Sequence, residues 1–292
     1  MAEILITGGA GNMGRSLAGA LRGQGHGLRI LDLPACDFGF FDGWERTSVF
    51  PGDILDRGFL RNALRGVDWV YHLAAILPPA SEANRERTFR VNVEGTRSLI
   101  EAASSGAAPS RPPTVVLASS VSVFGDTTSH EGLVASGHPV APNDLYAASK
   151  VEAEAVLMKS GLPFVNLRIS AVVIPAFLDP PEPWPFTRGQ RIELVPLADL
   201  VRAMANLAGK EGAVRRTLIL AGGPEWRIRG EDYVRRWGEV MDIPLEEMSF
   251  MERPGWLSWY DTRESQVLLD YQKTSLDAFL AQLAAAVAEA LA

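Results

Sequence analysis

Six short apolar runs recur along the chain, and helical patterns lie between most of them. The runs cover residues 4–7, 28–31, 69–74, 114–119, 164–169 and 217–222. The helical patterns cover residues 12–22, 56–65, 87–103, 144–159 and 196–207. Short apolar strands that alternate with helices are typical of a parallel sheet with helices on both faces. Since crossovers between parallel strands are right-handed, this order predicts an α/β fold with a doubly wound parallel sheet.

Two regions interrupt this alternation. Five prolines between Pro175 and Pro185 predict a stiff extended loop. After residue 222, further helical patterns follow without another convincing parallel strand. We therefore expect a Rossmann-type core at residues 1–170, to which 196–221 return, and a small C-terminal substrate-binding lobe at 171–195 and 222–292. A chain of 292 residues fits one core with an appended lobe.

Charge and composition limit the partners. The net charge of -7 gives no electrostatic reason to expect nucleic acid or an anionic membrane, and no run of about 18 apolar residues is present. The single cysteine, Cys36, has no partner for a disulfide and no companion at metal-ligand spacing. These features predict a cytoplasmic protein without a metal site, whose partner is a small molecule.

A glycine-rich stretch, TGGAGNMG at 7–14, follows the first predicted strand and opens a helix. It fits the dinucleotide-binding fingerprint as Gly9-x-Gly11-x-x-Gly14 and a close variant of it as Gly8-x-x-Gly11-x-x-Gly14. Glycine allows the tight turn and the close approach of backbone to a pyrophosphate, while the helix start offers free N–H groups. The predicted cofactor contacts in this stretch are Gly8, Gly11, Asn12, Met13 and Gly14.

An aspartate, Asp32, ends the second predicted strand about 20 residues further on. A carboxylate at this place accepts hydrogen bonds from the adenosine ribose hydroxyls and repels a 2′-phosphate. The combination predicts NAD, and not NADP, as the cofactor.

A tyrosine and a lysine four residues apart begin the helical pattern at 144–159. Residues at this spacing share one helix face, so Tyr146 and Lys150 can act on the same small volume. A free tyrosine has a pKa near 10, but a neighbouring ammonium and an oxidised nicotinamide both favour the phenolate. Tyr146 can then exchange a proton with a bound secondary alcohol while hydride moves to or from NAD.

The glycine-rich stretch, Asp32 and the Tyr146–Lys150 pair occur in the order typical of one enzyme family. With the further segments given below, the chain resembles the extended short-chain dehydrogenase/reductases, the group that contains NAD-dependent epimerases and dehydratases. The resemblance covers most of the chain. The segments that carry it, besides TGGAGNMG and Asp32, are GDILD at 52–56, YHLAA at 71–75, NVEGT at 92–96, LASSVSVFGD at 117–126, YAASK at 146–150 and NLR at 166–168.

The resemblance implies roles for matching residues. Ser120 would be the catalytic serine that acts with Tyr146 and Lys150, and Lys150 would also reach the nicotinamide ribose. The cofactor would be lined further by Asp53 and Ile54 beside adenine, by Leu73, Ala74 and Ala75, and by Asn92 behind the nicotinamide. Asn92 could equally be a polar packing residue of its helix. Members of the group commonly dimerise through the helices near Asn92 and Tyr146, so we expect a homodimer.

Departures from the group's pattern concern the substrate. Val121 and Ser122 replace the Asp-Glu pair of the dehydratases, which argues against dehydration. Ala171 replaces an asparagine that helps to hold the phosphate end of nucleotide sugars, and the following segment is short. We therefore expect a small hydroxylated substrate, for example a sugar acid, bound by Ser120 and by Arg188 and Arg191, which flank the proline-rich loop and could meet a carboxylate.

Two alternatives remain at this point. A nucleotide-sugar epimerase would use the same three catalytic residues but regenerate its own NAD. A non-catalytic NAD-sensing protein would bind the cofactor without turnover, although it would not need all of Ser120, Tyr146 and Lys150.

Overall fold

A computed structural model describes residues 1–105 and 112–292. The strands are β1 (Glu3–Thr7), β2 (Gly27–Asp32), β3 (Thr47–Pro51), β4 (Trp69–His72), β5 (Thr114–Ser120), β6 (Phe164–Ile169), β7 (Val172–Val173), β8 (Arg191–Ile192), β9 (Val195–Pro196), β10 (Arg216–Leu220) and β11 (Ile228–Arg229). The α-helices are α1 (Asn12–Gly23), α2 (Arg57–Ala63), α3 (Ala80–Ala83), α4 (Arg85–Phe89), α5 (Gly95–Ser104), α6 (Leu145–Lys159), α7 (Leu197–Ala205), α8 (Gly230–Met241), α9 (Arg263–Leu269) and α10 (Leu276–Ala290).

Seven strands form one sheet in the order β10-β6-β5-β4-β1-β2-β3. The pairs β1–β2, β1–β4, β2–β3 and β4–β5 are parallel. The predicted α/β fold with a Rossmann-type parallel sheet is therefore confirmed, and the six apolar runs correspond to β1, β2, β4, β5, β6 and β10. The carboxyl ends of parallel neighbours meet at one edge of the sheet, where Rossmann-type folds bind their ligands.

The strand β3 was missed by the sequence reasoning. Its segment, TSVFP, has exposed and half-buried side chains and ends in a proline. β3 is the edge strand of the sheet, beside β2. An edge strand does not need two apolar faces, so it left no apolar run to detect.

The chain divides into two compact units. The first contains Met1–Ser120, Pro142–Leu167 and Val201–Leu218, and the second contains Val121–Ala141, Arg168–Leu200 and Ile219–Ala292. The predicted domain bounds stay a prediction. They differ from these two units chiefly in residues 121–141, which the sequence predicts as part of the core.

The first unit has an apolar core between the sheet and its helices. It includes Leu5 and Val70 from the strands and Leu99 and Leu157 from α5 and α6, all fully buried. The predicted helix at 87–103 is interrupted, because Arg90–Glu94 forms a π-helical turn between α4 and α5. Such turns are rare in proteins, and those that occur often lie at functional sites.

The second unit has a core of its own, rich in aromatic side chains. Trp184 and Phe186, from the proline-rich loop, are buried in it. A polar cluster lies beside this core: the Glu193 carboxylate accepts hydrogen bonds from the backbone nitrogens of Gly223 and Tyr260, both at 2.9 Å, and from Arg227 Nε at 3.1 Å. Burial nevertheless raises the pKa of Glu193 to about 7.

Candidate active site

The glycine-rich turn joins β1 to α1 in the first unit. Gly8 has a positive φ of 69°, and a Cβ on it would lie 2.7 Å from the Ala74 nitrogen. A Cβ on Gly14 would lie 2.5 Å from the Gly8 carbonyl oxygen. Both positions therefore exclude a side chain, because the turn is packed against backbone. A Cβ on Gly11 would have its nearest neighbour at 3.4 Å, so the outer side of the turn stays open there.

The helix α1 begins directly after this turn. Gly11 is its N-cap residue and has an extended backbone, with φ −73° and ψ 167°. Glycine has no side chain with which to cap the first amides, and Asn12 and Met13 are the first helical residues. Amides at a helix start carry partial positive charge, which suits the binding of a phosphate group. The turn and the helix start therefore fit the pyrophosphate of a dinucleotide.

Asp32 lies beside the turn at the end of β2. Its Oδ2 accepts a hydrogen bond from the Ala10 nitrogen at 3.0 Å, and its Oδ1 accepts one from the Leu33 nitrogen at 2.9 Å. The carboxylate is therefore fixed to the glycine-rich turn by one oxygen and to its own strand end by the other. Each carboxylate oxygen has a further lone pair with which it can accept another hydrogen bond.

Asp53 and Ile54 lie in the segment that follows β3. Asp53 Oδ1 accepts a hydrogen bond from the Leu55 nitrogen at 2.9 Å, which shapes the local turn. Ile54 is buried, and a Cβ on Gly95 would lie only 2.4 Å from its Cδ1. Ile54 thus packs closely on the start of α5.

Leu73, Ala74 and Ala75 follow β4 and run beside the start of the turn. The Leu73 nitrogen donates to the Thr7 carbonyl oxygen at 3.1 Å, and the Ala74 nitrogen donates to Thr7 Oγ1 at 3.4 Å. The structure therefore brings this segment and the glycine-rich turn together. All three residues are partly exposed, so their surface is open to a ligand.

A buried histidine connects the same strand to α5. Thr7 Oγ1 lies 2.7 Å from His72 Nδ1, and His72 Nε2 lies 2.9 Å from Thr96 Oγ1. The Thr96 hydroxyl donates to the Asn92 carbonyl oxygen at 2.7 Å. Since a hydroxyl has one proton, His72 Nε2–H must donate to Thr96, and a neutral imidazole then accepts from the Thr7 hydroxyl at Nδ1.

The electrostatics favour this neutral imidazole. Burial, followed by the charge of Lys150, lowers the pKa of His72 to about 3. The contacts of His72 are therefore those of a structural residue.

The start of α6 is capped by two carboxylates. Asp144 Oδ1, at the N-cap, accepts from the Ala147 nitrogen at 2.6 Å. Glu82 accepts from the Leu145 and Tyr146 nitrogens, both at 3.0 Å. Acceptors at these positions pair with the free amides of the first turn, and their negative charge interacts favourably with the positive end of the helix dipole. The backbone of Tyr146 is therefore held by a side chain from α3.

Tyr146 and Lys150 lie on one face of α6, as their spacing predicts. Lys150 Nζ lies 5.6 Å from the centre of the Tyr146 ring and donates to the Ala118 carbonyl oxygen at 2.8 Å. Ala118 belongs to β5, and Ser120, which is buried, is the last residue of that strand. The pair on α6 is thus anchored to the strand that carries the predicted catalytic serine.

Burial shifts both pKa values away from the charged forms. Burial, followed by the charge of Asp144, raises the pKa of Tyr146 above its ordinary value. Burial lowers the pKa of Lys150 to about 8, and the Glu154 carboxylate acts in the opposite direction. Because this pKa is only about one unit above neutral pH, a small further decrease would leave much of Lys150 uncharged.

Asn92 lies in the π-helical turn and bridges two elements. Its side chain accepts from the Ile76 nitrogen at 2.7 Å and donates to the Ile76 carbonyl oxygen at 3.1 Å and to Ser149 Oγ at 2.9 Å. Ser149 in turn donates to the Tyr146 carbonyl oxygen at 2.7 Å. These contacts fit the packing interpretation of Asn92, and its contact with the cofactor stays a prediction.

Arg188 and Arg191 lie in the second unit and have partners there. Arg188 Nη1 forms an ion pair with Glu231 Oε1 at 2.6 Å. Arg191 donates to the carbonyl oxygens of His130 and, at 2.8 Å, of Glu131. Their role as substrate ligands stays a prediction.

A run of exposed apolar side chains follows β6 in the second unit. Val172, Ile174, Phe177 and Leu178 are between 37 and 56% exposed. Single exposed apolar residues are ordinary, but four within seven positions form a patch that favours an apolar ligand or partner.

Sequence reasoning missed two carboxylates of the site, Glu82 and Glu154. Glu154 is four residues after Lys150, so its position on the same helix face could have been noticed. Glu82 is 63 and 64 residues away from the amides that it caps, and no local pattern announces that contact.

The described residues also bear on two other kinds of site. Across 1–105 and 112–292, no three His, Cys, Asp or Glu side chains gather where they could hold a metal ion. Within the same residues, no helix has both the length and the apolar character needed to span a membrane.

Solved structures with the same fold include two that were crystallised with NAD. A short-chain dehydrogenase/reductase superfamily protein from Agrobacterium tumefaciens with bound NAD superposes with a TM-score of 0.81 at 24% identity, over 99% of this chain and 98% of that chain. A dTDP-glucose 4,6-dehydratase from Streptomyces venezuelae with NAD and TYD bound gives 0.82 at 22%, over 98% and 97%. At these identities the likeness shows the fold.

Curated relatives and a family model show which family the chain belongs to. A 3 beta-hydroxysteroid dehydrogenase/Delta 5-->4-isomerase from Mycobacterium tuberculosis is 33% identical over 178 residues, which are 56% of this chain and 44% of that protein. The chain spans less than half the length of the curated relatives that it matches first. The model described as the NAD dependent epimerase/dehydratase family matches residues 4–182, more than half of the chain. The chain therefore belongs to the NAD dependent epimerase/dehydratase family, whose cofactor is NAD.

Proposed function

We propose that the protein is an NAD-dependent oxidoreductase that transfers hydride reversibly at a secondary alcohol or ketone of a small hydroxylated substrate. The observation that carries the proposal is the pairing of Tyr146 with Lys150, whose Nζ lies 5.6 Å from the phenol ring. Burial raises the pKa of Tyr146, and an ammonium at this place acts in the opposite direction, toward the phenolate, as a bound oxidised nicotinamide would. Tyr146 can then serve as the proton acceptor at neutral pH.

Each of the three residues has a distinct task in the oxidation. NAD, when bound, would supply the acceptor for the hydride of the carbinol carbon. Tyr146 takes the proton of the same carbinol as its oxygen becomes a carbonyl oxygen, and Ser120 orients that oxygen by a hydrogen bond. Lys150 holds positive charge beside the phenol. In the reverse direction Tyr146 returns its proton to the oxygen.

The cofactor contacts proposed from the sequence are supported by the geometry of the turn. Gly8 and Gly14 leave no space for a side chain, and the outer side of Gly11 is open. The full proposed set is Gly8, Gly11, Asn12, Met13, Gly14, Asp32, Asp53, Ile54, Leu73, Ala74, Ala75, Asn92, Tyr146 and Lys150.

Asp32 provides a test of the cofactor contacts that needs no substrate. Asp32→Asn keeps an acceptor for the Ala10 amide but removes the charge that repels a 2′-phosphate. We expect the ratio of the Kd values for NADP and NAD, measured by calorimetry, to fall by about tenfold. An unchanged ratio would show that Asp32 does not face the ribose.

The substrate class has two candidates. The first is the sugar acid expected from the sequence, bound by Ser120, Arg188 and Arg191. The second is a hydroxylated compound with an apolar body. The exposed apolar patch at 172–178 favours it, and so do the existing partners of the two arginines. The name of the Mycobacterium tuberculosis relative, a 3 beta-hydroxysteroid dehydrogenase, points the same way.

A substrate panel tests the function and separates these candidates. Purified protein with NAD is incubated with uronates, polyols, hydroxy acids and hydroxysteroids, and NADH absorbance is followed at pH 8. Growth of the NADH signal with one class establishes the dehydrogenase and its substrate. A silent panel, together with epimerised product from UDP-sugars, would establish the epimerase. Silence in both assays with tight NAD binding would leave the NAD-sensing alternative.

We also propose a homodimer, as the sequence suggested. A groove of about 400 Å³ lies between α5 and α6 on the surface of the first unit. Its lining combines the apolar residues Val93, Ile100 and Val156 with charges of both signs, among them Arg97 and Glu152. A patch with apolar surface and both charges can be complementary to itself across a two-fold axis.

Light scattering of the purified protein tests the dimer. Val156→Arg introduces a bulky charge into the groove, and we expect it to halve the measured mass. A wild-type mass of one chain, or a dimer that survives this substitution, would remove the groove as the interface. The cytoplasmic location inferred from Cys36 stays a prediction.

A further inference from the structure

Glu154 is a buried carboxylate that the proposed mechanism does not use. It lies on α6 four residues beyond Lys150, and both side chains are buried, with 4% of each residue exposed. Ser119 Oγ donates a hydrogen bond to Glu154 Oε1 at 2.6 Å. This distance is short, as expected when the acceptor is charged. Ser119 is the neighbour of Ser120 at the end of β5, so the bond joins that strand end to α6.

Lys150 is the buried member of a small set of lysines. The chain has four, at positions 150, 159, 210 and 273, and the other three are exposed. Burial of an ammonium disfavours its charged form, and the pKa of Lys150 is lowered to about 8. The charge of Glu154 raises the pKa of Lys150 and so opposes the effect of burial.

We propose that Glu154 is a positioning residue for hydride transfer, which keeps Lys150 protonated and, through Ser119, fixes α6 to the strand end that carries Ser120. This proposal rests on the proposed function of Tyr146 and Lys150 and adds a residue to it. Glu154 acts through Lys150 and Ser119.

Other titratable groups near Lys150 do not supply this charge. His72 is neutral, because burial lowers its pKa to about 3. Tyr146 has a pKa raised by burial and is neutral in this state. The carboxylates of Asp144, at the N-cap of α6, and of Glu82, from α3, both accept hydrogen bonds from backbone amides at the start of α6. The counter-charge acting on Lys150 from within the helix is that of Glu154.

The pKa of Lys150 can be measured directly, without a substrate. Protein labelled with 13C in the lysine ε-carbons should give four resolved signals, and Lys150→Arg identifies the one that belongs to Lys150. In Glu154→Gln, titration should show the pKa of Lys150 lower than in the wild type by about one unit, since a neighbouring opposite charge shifts a pKa by roughly 1–3 units. An unchanged pKa would overturn the proposal.

Matched variants separate the charge of Glu154 from general disturbance. Glu152→Gln removes an exposed carboxylate from the same helix and should leave the pKa of Lys150 as it is in the wild type. Glu154→Asp keeps the charge and should restore most of the shift. If Glu154→Gln does not fold, Ser119→Ala replaces it, because it removes the hydrogen bond that fixes the carboxylate. A wild-type pKa in that variant would then overturn the proposal.

Activity gives a second readout that a merely structural residue would not move. In the wild type, loss of the Lys150 proton should end activity on the alkaline side of the pH profile. In Glu154→Gln the alkaline limb of kcat/KM should move to lower pH by the same amount as the NMR titration. Absence of turnover with every substrate would defeat the proposed function and leave the NMR test intact. An unmoved limb and an unmoved titration in an active enzyme would defeat the positioning role alone.

Discussion

The region around Tyr146 and the segment after β6 use their side chains in opposite ways. Around Tyr146, polar groups are buried and held by other polar groups at defined distances, as in Ser119–Glu154 and Asn92–Ile76. In the segment at 172–178, apolar side chains are exposed, and nearby Arg188 is engaged by Glu231.

The difference fits the roles that we propose for the two regions. Proton and hydride transfer need groups that are already in place before the substrate arrives, so the reactive residues are fixed by packing and hydrogen bonds. Recognition uses surface that is left free for the ligand. In this chain the fixed region, around Tyr146, is polar, while the free region, the segment at 172–178, is apolar.

The largest expected effect tests the fixed region. Tyr146→Phe removes the hydroxyl that exchanges the proton, and turnover should fall by about 10³-fold or more. Binding of NAD, followed by calorimetry, should stay within about twofold of the wild type, because the ring and the capped helix start are retained. A variant that turns over at the wild-type rate would remove Tyr146 from the mechanism.

The next effect measures how tightly the glycine-rich turn is packed. Gly8→Ala should lower the free energy of unfolding by about 3 kcal/mol, since it adds left-handed strain and a contact at 2.7 Å from backbone. Gly66 also has a positive φ, of 74°, but a Cβ there would meet no described atom within 4 Å. Gly66→Ala should therefore lose only about 1 kcal/mol in urea unfolding. Equal losses would show that the turn tolerates a side chain.

A third effect concerns the buried imidazole of the same region. The pKa of His72 is about 3 in the folded chain against 6.5 for a free histidine, so the unfolded chain takes up the proton first as pH falls. Stability is therefore present above pH 6.5 and should fall by about 2 kcal/mol between pH 6.5 and 5. His72→Gln, which cannot titrate, should lack this loss in urea unfolding at the two pH values. His130→Gln, on a partly exposed histidine, is the control and should behave like the wild type.

The smallest expected effect tests the free region. Replacing Phe177 and Leu178 by serine should raise KM for a hydroxysteroid substrate by about tenfold, because apolar contact area with the ligand is lost. Val267→Ser, which changes a side chain that is 85% exposed elsewhere in the second unit, should leave KM unchanged. If the double variant raises KM for uronates and not for hydroxysteroids, the patch serves the sugar acid instead.

Much of the fold was predictable because its signals are local. The apolar runs predicted six of the seven strands of the central sheet, and the predicted helix at 144–159 differs from α6 by one residue, the N-cap Asp144. The missing strand, β3, is an edge strand with exposed side chains, so the rule that found its neighbours did not apply to it. The π-helical turn around Asn92 has no sequence signal that the periodicity could show.

The candidate site was predictable where spacing alone brings residues together. Tyr146 and Lys150 share a helix face, and the glycines of the turn are consecutive in the chain. The contacts that hold these residues in place join distant positions, such as Glu82 to the start of α6 and Ser119 to Glu154. They depend on the packed fold, so the residues proposed to react could be named from the sequence, whereas the residues that hold them in place could not.

The chain of hydrogen bonds through His72 limits which substitutions this sequence can accept during evolution. Every donor and acceptor from Thr7 to Thr96 is matched, so changing one member leaves a buried polar group without its partner. Replacing the members jointly by apolar residues of similar shape would leave no such group. Positions 7, 72 and 96 should therefore covary among relatives, with their polar or apolar character inherited as one unit.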